Sequence, residues 1–324
     1  MLTEGGQAPI LQSLKPRAES LHKSARPWTM GEGIQGLGIG QKVTDAFVLP
    51  DLVLKVYVEK KLPKSKVTNM VPEAVDIPGI EEQLATDVEE IGKVELESNT
   101  SRVRSAIPGF SIGHLEISAG TLGCLVRVNG DDQGLYILSN SHVLANEGVA
   151  EKGDVIIQPG VFDDGVAPDD AIATLSDWVA FEFTDSTFPN LVDAAIAKVD
   201  SDQHVISAIR KIGIPKGVSK TVRRGMRIRK TGRTTDFTTG VITDIDYRLA
   251  LDYKRPGGGE GRVGLRDQVL CTRYTAAGDS GSAVINSKGF IIGLHFAGSP
   301  STSIFNKISN VIDLLDISIV TTEI

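Results

Sequence analysis

Ser280 sits in the run Gly278-Asp279-Ser280-Gly281-Ser282, a hydroxyl among small residues between two apolar segments. Gly, Asp and Ser are turn formers, so the run can be a plain connection between strands. It can equally present a nucleophile, because an attacking serine needs a sharply turned backbone, bare N–H groups beside it and an accessible hydroxyl. The second reading makes demands elsewhere: a base to take the hydroxyl proton and a buried carboxylate to orient that base. Among five histidines, His142 fits best, because "LYILSNSHVLAN" passes from an apolar strand into a polar turn and leaves the imidazole at a strand end. His114, in "PGFSIGHLEIS", is the rival and reads equally as a buried structural histidine, whereas His22 and His204 lie in polar segments. Asp193 opens "DAAIAKV", whose small and apolar residues imply burial. It is preferred to Asp170, which closes the acidic loop "FDDGVAPDD" and is expected to be more exposed. His142, Asp193 and Ser280 together would supply the base, orienter and nucleophile of acyl transfer, a set that needs no metal or cofactor. The acidic loop lacks the regular ligand spacing of a calcium site.

Those groups need a scaffold. From residue 107 the chain breaks into short β-rich runs separated by Gly, Asp and Pro, among them "GCLVRVN", "LYILSN", "DAAIAKV", "RIRKTGR", "QVLCTRY" and "FIIGLHFAG". This texture predicts a barrel or sandwich. In "NKISNVIDLLDI" Ile308, Val311, Ile312 and Leu315 fall on one helical face, so a closing helix is expected to pack on the strands. Residues 34–98 read as a small α/β domain: strands in "IQGLGIGQKV", "LVLKVYVEKKL" and "VEEIGKVEL", with helix-start character near "PEAVDIPGIEEQL". Residues 1–33 read as a loosely ordered arm, giving three parts: 1–33, 34–98 and 107–324. "GEGIQG" at 31–36 fits G-x-G-x-x-G but lacks a strand before it and a helix after it, so it is not a phosphate loop.

Composition narrows the setting. With 324 residues, 41% hydrophobic and net charge −7, the chain can bury a full core, and its acidic balance argues against nucleic acid as the main partner. The cluster Arg223, Arg224, Arg227, Arg229, Lys230 and Arg233 reads as a solvated strand-and-loop surface. Neither a signal segment nor a membrane-length apolar run is visible, and Cys124 and Cys271 are too few for a disulfide framework. A cytoplasmic protein with buried thiols is expected, without membrane partners and with homo-oligomerisation left open.

The segments "GDSGS", "SNSHVLA" and "DAAIAKV" resemble, in the same order and at similar spacing, the triad segments of chymotrypsin-like serine proteases. The resemblance implies a mainly β fold with a double β-barrel and a C-terminal helix over about 107–324. It makes Ser280 the nucleophile, His142 the base and then acid, Asp193 the orienter, and the N–H groups of Gly278 and Ser280 the oxyanion hole. Together with "PGFSIGH", "SAGTLG", "LSNSHVLAN" and "GDSGS", the short α/β N-terminal unit resembles bacterial cytoplasmic trypsin-like proteases related to the plant NARROW LEAF proteins. An Ile-Val-Gly-Gly terminus is missing, with only "IPGF" at 107–110, so activation by cleavage is in doubt and Asp279 needs some other partner. The substrate pocket maps to Tyr274, Thr275, His295 and Phe296. Tyr274 stands six before Ser280 where an acid would select Arg or Lys, and Thr275 with His295 resembles the arrangement of glutamyl endopeptidases. The expected substrate is a protein or peptide with Glu or Gln, or a small apolar residue, before the cut. The alternatives are a peptide-binding scaffold and an esterase using the same groups.

Overall fold

The computed structural model describes residues 33–44, 47–67, 70–76, 83–92, 99–131, 134–184 and 186–324. The chain divides into two compact units, 1–97 and 98–324. In the first, β1 (Ile34–Thr44), β2 (Phe47–Val58), β3 (Ala74–Val75) and β4 (Leu84–Glu90) form one sheet in the order β1-β2-β4-β3. Val53, Leu54, Val56 and Val58 are its buried residues on β2, and Lys55, also buried, reaches Glu89 on the parallel neighbour β4 at 2.5 Å. The α/β expectation is not met among the described residues. Where a helix start was expected, Ala74–Val75 is a strand and Leu84 opens another, while residues 77–82 lie outside the described set. "GEGIQG" leads directly into β1, with no helix after it. Most of the 1–33 arm, including His22, lies outside the described residues.

The second unit is mainly β. Its first sheet uses β5 (Ser111–His114), β6 (Gly120–Thr121), β7 (Cys124–Val128), β8 (Tyr136–Ser139), β9 (Val155–Ile157), β10 (Ala171–Trp178) and β11 (Ala195–Val199), with a short helix α1 (Ser141–Leu144) directly after β8. A closed six-stranded barrel follows, in the order β12-β13-β14-β17-β16-β15. Its strands are β12 (Arg227–Gly232), β13 (Asp236–Lys254), β14 (Glu260–Thr272), β15 (Ala283–Asn286), β16 (Ile291–Gly298) and β17 (Thr302–Lys307). Helix α2 (Ile308–Leu315) then leads to β18 (Ile317–Ile319), which returns to pair with β7 at the edge of the eight-stranded first sheet. The curled first sheet and the closed barrel give the expected double-barrel architecture.

Strand alternation explains how the two layers join, because successive side chains point to opposite faces. On β7 and β8, Leu125 and Ile137 enter the core of the first sheet, while Cys124, Val126, Tyr136 and Leu138 face a second cluster. On β11, Ala195 and Ala197 take the first face and Ile196 the second. The second cluster also holds Ala283, Ile285, Ile291 and Leu294 of the barrel, so it is the seam between the layers. Ile308, Val311 and Leu315 of α2 bury in that seam, as the helical spacing predicted. At about 1.5–3 kcal/mol per fully buried aliphatic side chain, this stripe outweighs the weak propensity of so short a helix. Both cysteines are buried and unpaired, and burial pushes each thiol up to about 12.

Candidate active site

β8 delivers His142 to the site by ending at Ser139 and turning through Asn140 into α1. The Asn140 side chain donates to the Asp193 carbonyl at 2.7 Å, tying the end of β8 to the start of β11. Asp193 is fully buried. Its Oδ1 accepts the His142 backbone N–H at 3.2 Å, and its Oδ2 lies 2.5 Å from His142 Nδ1. A carboxylate only accepts, so Nδ1 carries the proton and Nε2 presents its lone pair. Burial disfavours the imidazolium, but the Asp193 charge and hydrogen bond, with Glu147 adding, outweigh it and raise the imidazole above its ordinary 6.5.

Two residues that sequence reasoning missed complete this corner. Tyr253 near the end of β13 donates its hydroxyl to Asp193 Oδ2 at 2.9 Å, and Asn306 on β17 accepts the Asp193 backbone N–H at 2.6 Å. Tyr253 is buried against Phe181, ring centroids 4.5 Å apart. Burial, with the Asp193 charge adding, pushes its phenol well above its usual range, so it remains a donor. The adjoining Lys254 grips the loop after α1, its N–H on Glu147 at 2.6 Å and its ammonium on Asn146 at 2.7 Å.

Ser280 is half-exposed on the turn between β14 and β15. Its hydroxyl donates to the Phe296 carbonyl at 3.3 Å and makes no hydrogen bond to His142. The turn nevertheless packs beside α1: a methyl group built on Gly120 would overlap Val143 and lie 3.1 Å from the Ser280 carbonyl. The Ala277–Gly278 and Asp279–Ser280 peptide groups have fixed orientations. Thr234 Oγ1 donates to the Ala277 carbonyl at 2.7 Å, and Ser282 donates to the Asp279 carbonyl from its N–H at 3.1 Å and its hydroxyl at 2.5 Å. Because C=O and N–H point oppositely in a planar trans peptide, pinning these carbonyls aims the N–H groups of Gly278 and Ser280 away from them. Neither N–H has a hydrogen-bond partner among the described residues.

Asp279 is what holds the turn. It is fully buried, accepts from the N–H groups of Thr234, Thr235 and Ala276 at 2.9, 3.1 and 2.8 Å, and from Thr235 Oγ1 at 2.6 Å. Its counter-charge is Lys230, 3.3 Å away, with both side chains inaccessible to solvent. Burial alone would raise the carboxyl, but Lys230 and the hydrogen bonds of Thr235 and Ala276 hold it below its ordinary value. The expectation that Lys230 belongs to a solvated basic surface is therefore wrong. Its signal was available, since Lys230 lies two residues from the buried Ile228 on β12 and so shares its face.

Gly281, at φ 94°, brings the turn against the end of β8, and a methyl group there would overlap Ser139 Oγ and the Thr121 carbonyl. Gly281→Ala is expected to cost at least about 2 kcal/mol by thermal denaturation, from overlap with backbone plus left-handed strain.

Of the four residues expected in the substrate pocket, Tyr274 packs in the barrel core with Ile228, Ile242 and Phe305, whereas Phe296 packs in a separate cluster with Tyr253, Val263 and Leu265. Thr275 and Ser303 hydroxyls lie 2.6 Å apart, and the rings of Tyr274 and His295 are 5.9 Å apart. His295 is buried, its Nδ1 and the Tyr274 hydroxyl lack partners, and burial lowers its imidazole to about 3. The rival His114 is buried with both ring nitrogens engaged, Nε2 with Asp154 at 3.0 Å and Nδ1 with the Glu116 N–H at 3.1 Å. Asp170 is buried, contrary to expectation, because Arg102 lies 2.5 Å and Arg104 3.3 Å from it. Asp163 of the same loop pairs with Arg233 at 2.5 Å, and no metal-binding cluster occurs among the described residues.

A family model described as Trypsin matches residues 120–315. No curated protein matches the chain. Among solved structures it is similar to Protease A of Thermobifida fusca, with 15% identity and a TM-score of 0.47 over 67% of this chain and 98% of that one. It is similar also to Nocardiopsis protease, with 15% identity and a TM-score of 0.45 over 66% of this chain and 97% of that one. A third is a glutamic acid-specific serine protease that uses a histidine triad in substrate binding, with 15% identity and a TM-score of 0.44 over 66% of this chain and 100% of that one.

Proposed function

The chain belongs to the trypsin family of serine endopeptidases, and we propose that its peptidase chemistry runs through Ser280, His142 and Asp193. Ser280 Oγ attacks the scissile carbonyl while His142 Nε2 takes its proton. The C–N bond then breaks as His142 returns that proton to the leaving amine, and water releases the acyl group by the same route. To begin, the Ser280 hydroxyl turns from the Phe296 carbonyl towards His142. The observation that carries this reading is the turn itself: two unpaired N–H groups, oriented by pinned carbonyls, on either side of Asp279 and next to a hydroxyl. Such donors stabilise an oxyanion without reorganising. A fluorophosphonate probe should label the wild-type protein and leave Ser280→Ala unlabelled; equal labelling would overturn the assignment. The buried, unpaired thiols are in keeping with a reducing, cytoplasmic setting. The narrower kinship with the NARROW LEAF proteins rests on the four sequence motifs alone.

Activity should depend on pH through His142. The base must be neutral, and its pKa is raised, so kcat/KM is expected to climb with pH to a midpoint above 6.5. Tyr253→Phe should move that midpoint higher still, because Asp193 then concentrates its charge on His142, and should lower kcat by about tenfold. A wild-type midpoint below 6.5, or an unchanged profile in Tyr253→Phe, would contradict this.

For the residue before the cut, the proposed pocket is polar but uncharged. His295 is neutral at physiological pH and Nδ1 is unpaired, while Thr275 and Ser303 supply hydroxyls. A Gln amide can use both donors and acceptors there, whereas a Glu carboxylate would lack a counter-charge. Small apolar residues are the competing preference. On a peptide library, His295→Ala should lose Gln turnover selectively; unchanged Gln turnover, with cleavage after Leu, Ala or Val in both proteins, would remove His295 from the pocket.

A further inference from the structure

The end of the β15–β16 hairpin remote from Ser280 borders a cavity of about 450 Å³. Val218, Met226 and Phe290 line it, each half-buried, and Arg223 and Lys288 stand exposed at its rim. Its walls are held by backbone bonds. Ser219 N–H donates to the Ile291 carbonyl at 2.9 Å and Gly225 N–H to the Ile242 carbonyl at 2.8 Å. Asn286 Oδ1 accepts from the Lys288 and Phe290 N–H groups at 2.9 and 3.1 Å, closing the hairpin turn. No group assigned to acyl transfer takes part.

The charge around this cavity is one-sided. Residues 203–235 contain ten Lys and Arg and no Asp or Glu, in a chain of net charge −7. Lys230, Arg233, Lys211 and Lys220 are paired with Asp279, Asp163, Asp236 and Asp313. Arg223, Arg224, Arg227 and Lys288 form no ion pair among the described residues. Ser219, Thr221, Asn286 and Ser287 complete the lining beside the three apolar residues, and like charges at the mouth of such a partly apolar cavity focus a positive potential there. The complementary ligand has carboxylates for the rim and an apolar group for the floor.

We propose that this cavity docks an acidic peptide segment through one large apolar side chain. The volume lies within the roughly 300–1,000 Å³ range of small binding sites, enough for an anchor residue and parts of its neighbours. A floor of Val218, Met226 and Phe290 suits Leu or Phe, whereas a nucleic acid would want a basic track with several stacking faces. A polypeptide held here would have its remaining length concentrated near Ser280, at the other end of the hairpin. That last consequence rests on the proposed peptidase reading; the docking does not.

The test is fluorescence anisotropy with full-length Ser280→Ala protein and a labelled peptide carrying Phe between pairs of Glu. Saturable binding is expected. Replacing Phe by Ser or every Glu by Gln should each weaken it by at least about tenfold, as should Arg223→Glu with Lys288→Glu in the protein. Those two residues are exposed, so the thermal midpoint of the double variant should match its parent. Equal affinity for the Gln peptide, undiminished binding to the double variant, or tighter binding of a single-stranded oligonucleotide at the same salt would each overturn the proposal. Because the assay uses protein without the nucleophile, its failure leaves the hydrolytic reading intact, and an inactive wild type leaves the docking result intact.

Discussion

Ser280→Ala and His142→Ala should each lower kcat on a peptide substrate by about 10⁴–10⁶-fold, the scale on which such groups act as one unit. Combining them should cost little more than either alone. Asp193→Asn should lose about 10⁴-fold, because an amide in place of the carboxylate no longer fixes the proton on Nδ1 and leaves Nε2 unable to act as base. His114→Ala is the control. Its ring is committed at both nitrogens, so removing it should reduce stability and leave kcat within about tenfold of wild type. Single-turnover kinetics, with thermal denaturation to verify folding, would check all five variants. Lost catalysis in His114→Ala beside an active His142→Ala would reverse the assignment of the base.

Lys230→Met should also impair the enzyme, though Lys230 touches no reacting atom. The variant leaves the buried Asp279 carboxylate without its cation, which typically costs about 3–5 kcal/mol. The carboxylate can escape that cost by taking up a proton or by swinging towards water, and either change loosens the bonds to Thr234, Thr235 and Ala276 that hold the turn. With the Gly278 and Ser280 N–H groups disoriented, kcat should fall by about 10²–10³-fold while KM changes little. Lys230→Met with Asp279→Asn should recover stability without recovering the rate. Full activity in Lys230→Met would show that the turn holds its shape without the ion pair.

How much of this could be read from the residues depends on whether a group's role is local. α2 was legible because four apolar residues on one helical face leave little choice, and the strands of both sheets because alternation and turn residues coincide. His142 and Asp193, 51 positions apart, do meet at 2.5 Å. No strand was expected over "RLALDYKRPGGGEGRVG", which mixes charges and glycines, yet β13 and β14 pair through most of it. Tyr253 becomes buried only when the hairpin meets Phe181, a tertiary contact with no trace in its own neighbours. Asp170 was misjudged for a similar reason, since the arginines that permit its burial lie over sixty residues earlier. In the first unit, helix-start character was expected near "PEAVDIPGIEEQL", whereas Ala74–Val75 pairs as a strand with β4 and residues 77–82 lie outside the described set.

Asn306 gives the site an order of assembly. It accepts the Asp193 backbone N–H from β17, a strand synthesised after His142, Asp193 and Ser280 have all been made. Tyr253, the other support of that carboxylate, comes from a hairpin whose return strand pairs with β17. A ribosome-bound chain halted between residues 280 and 306 therefore carries every reacting group of the proposed peptidase without the complete frame that orients its acid. Such a nascent chain would be inert towards its own unfolded segments and towards its neighbours on the polysome, and would acquire cutting power only when β17 closes the barrel.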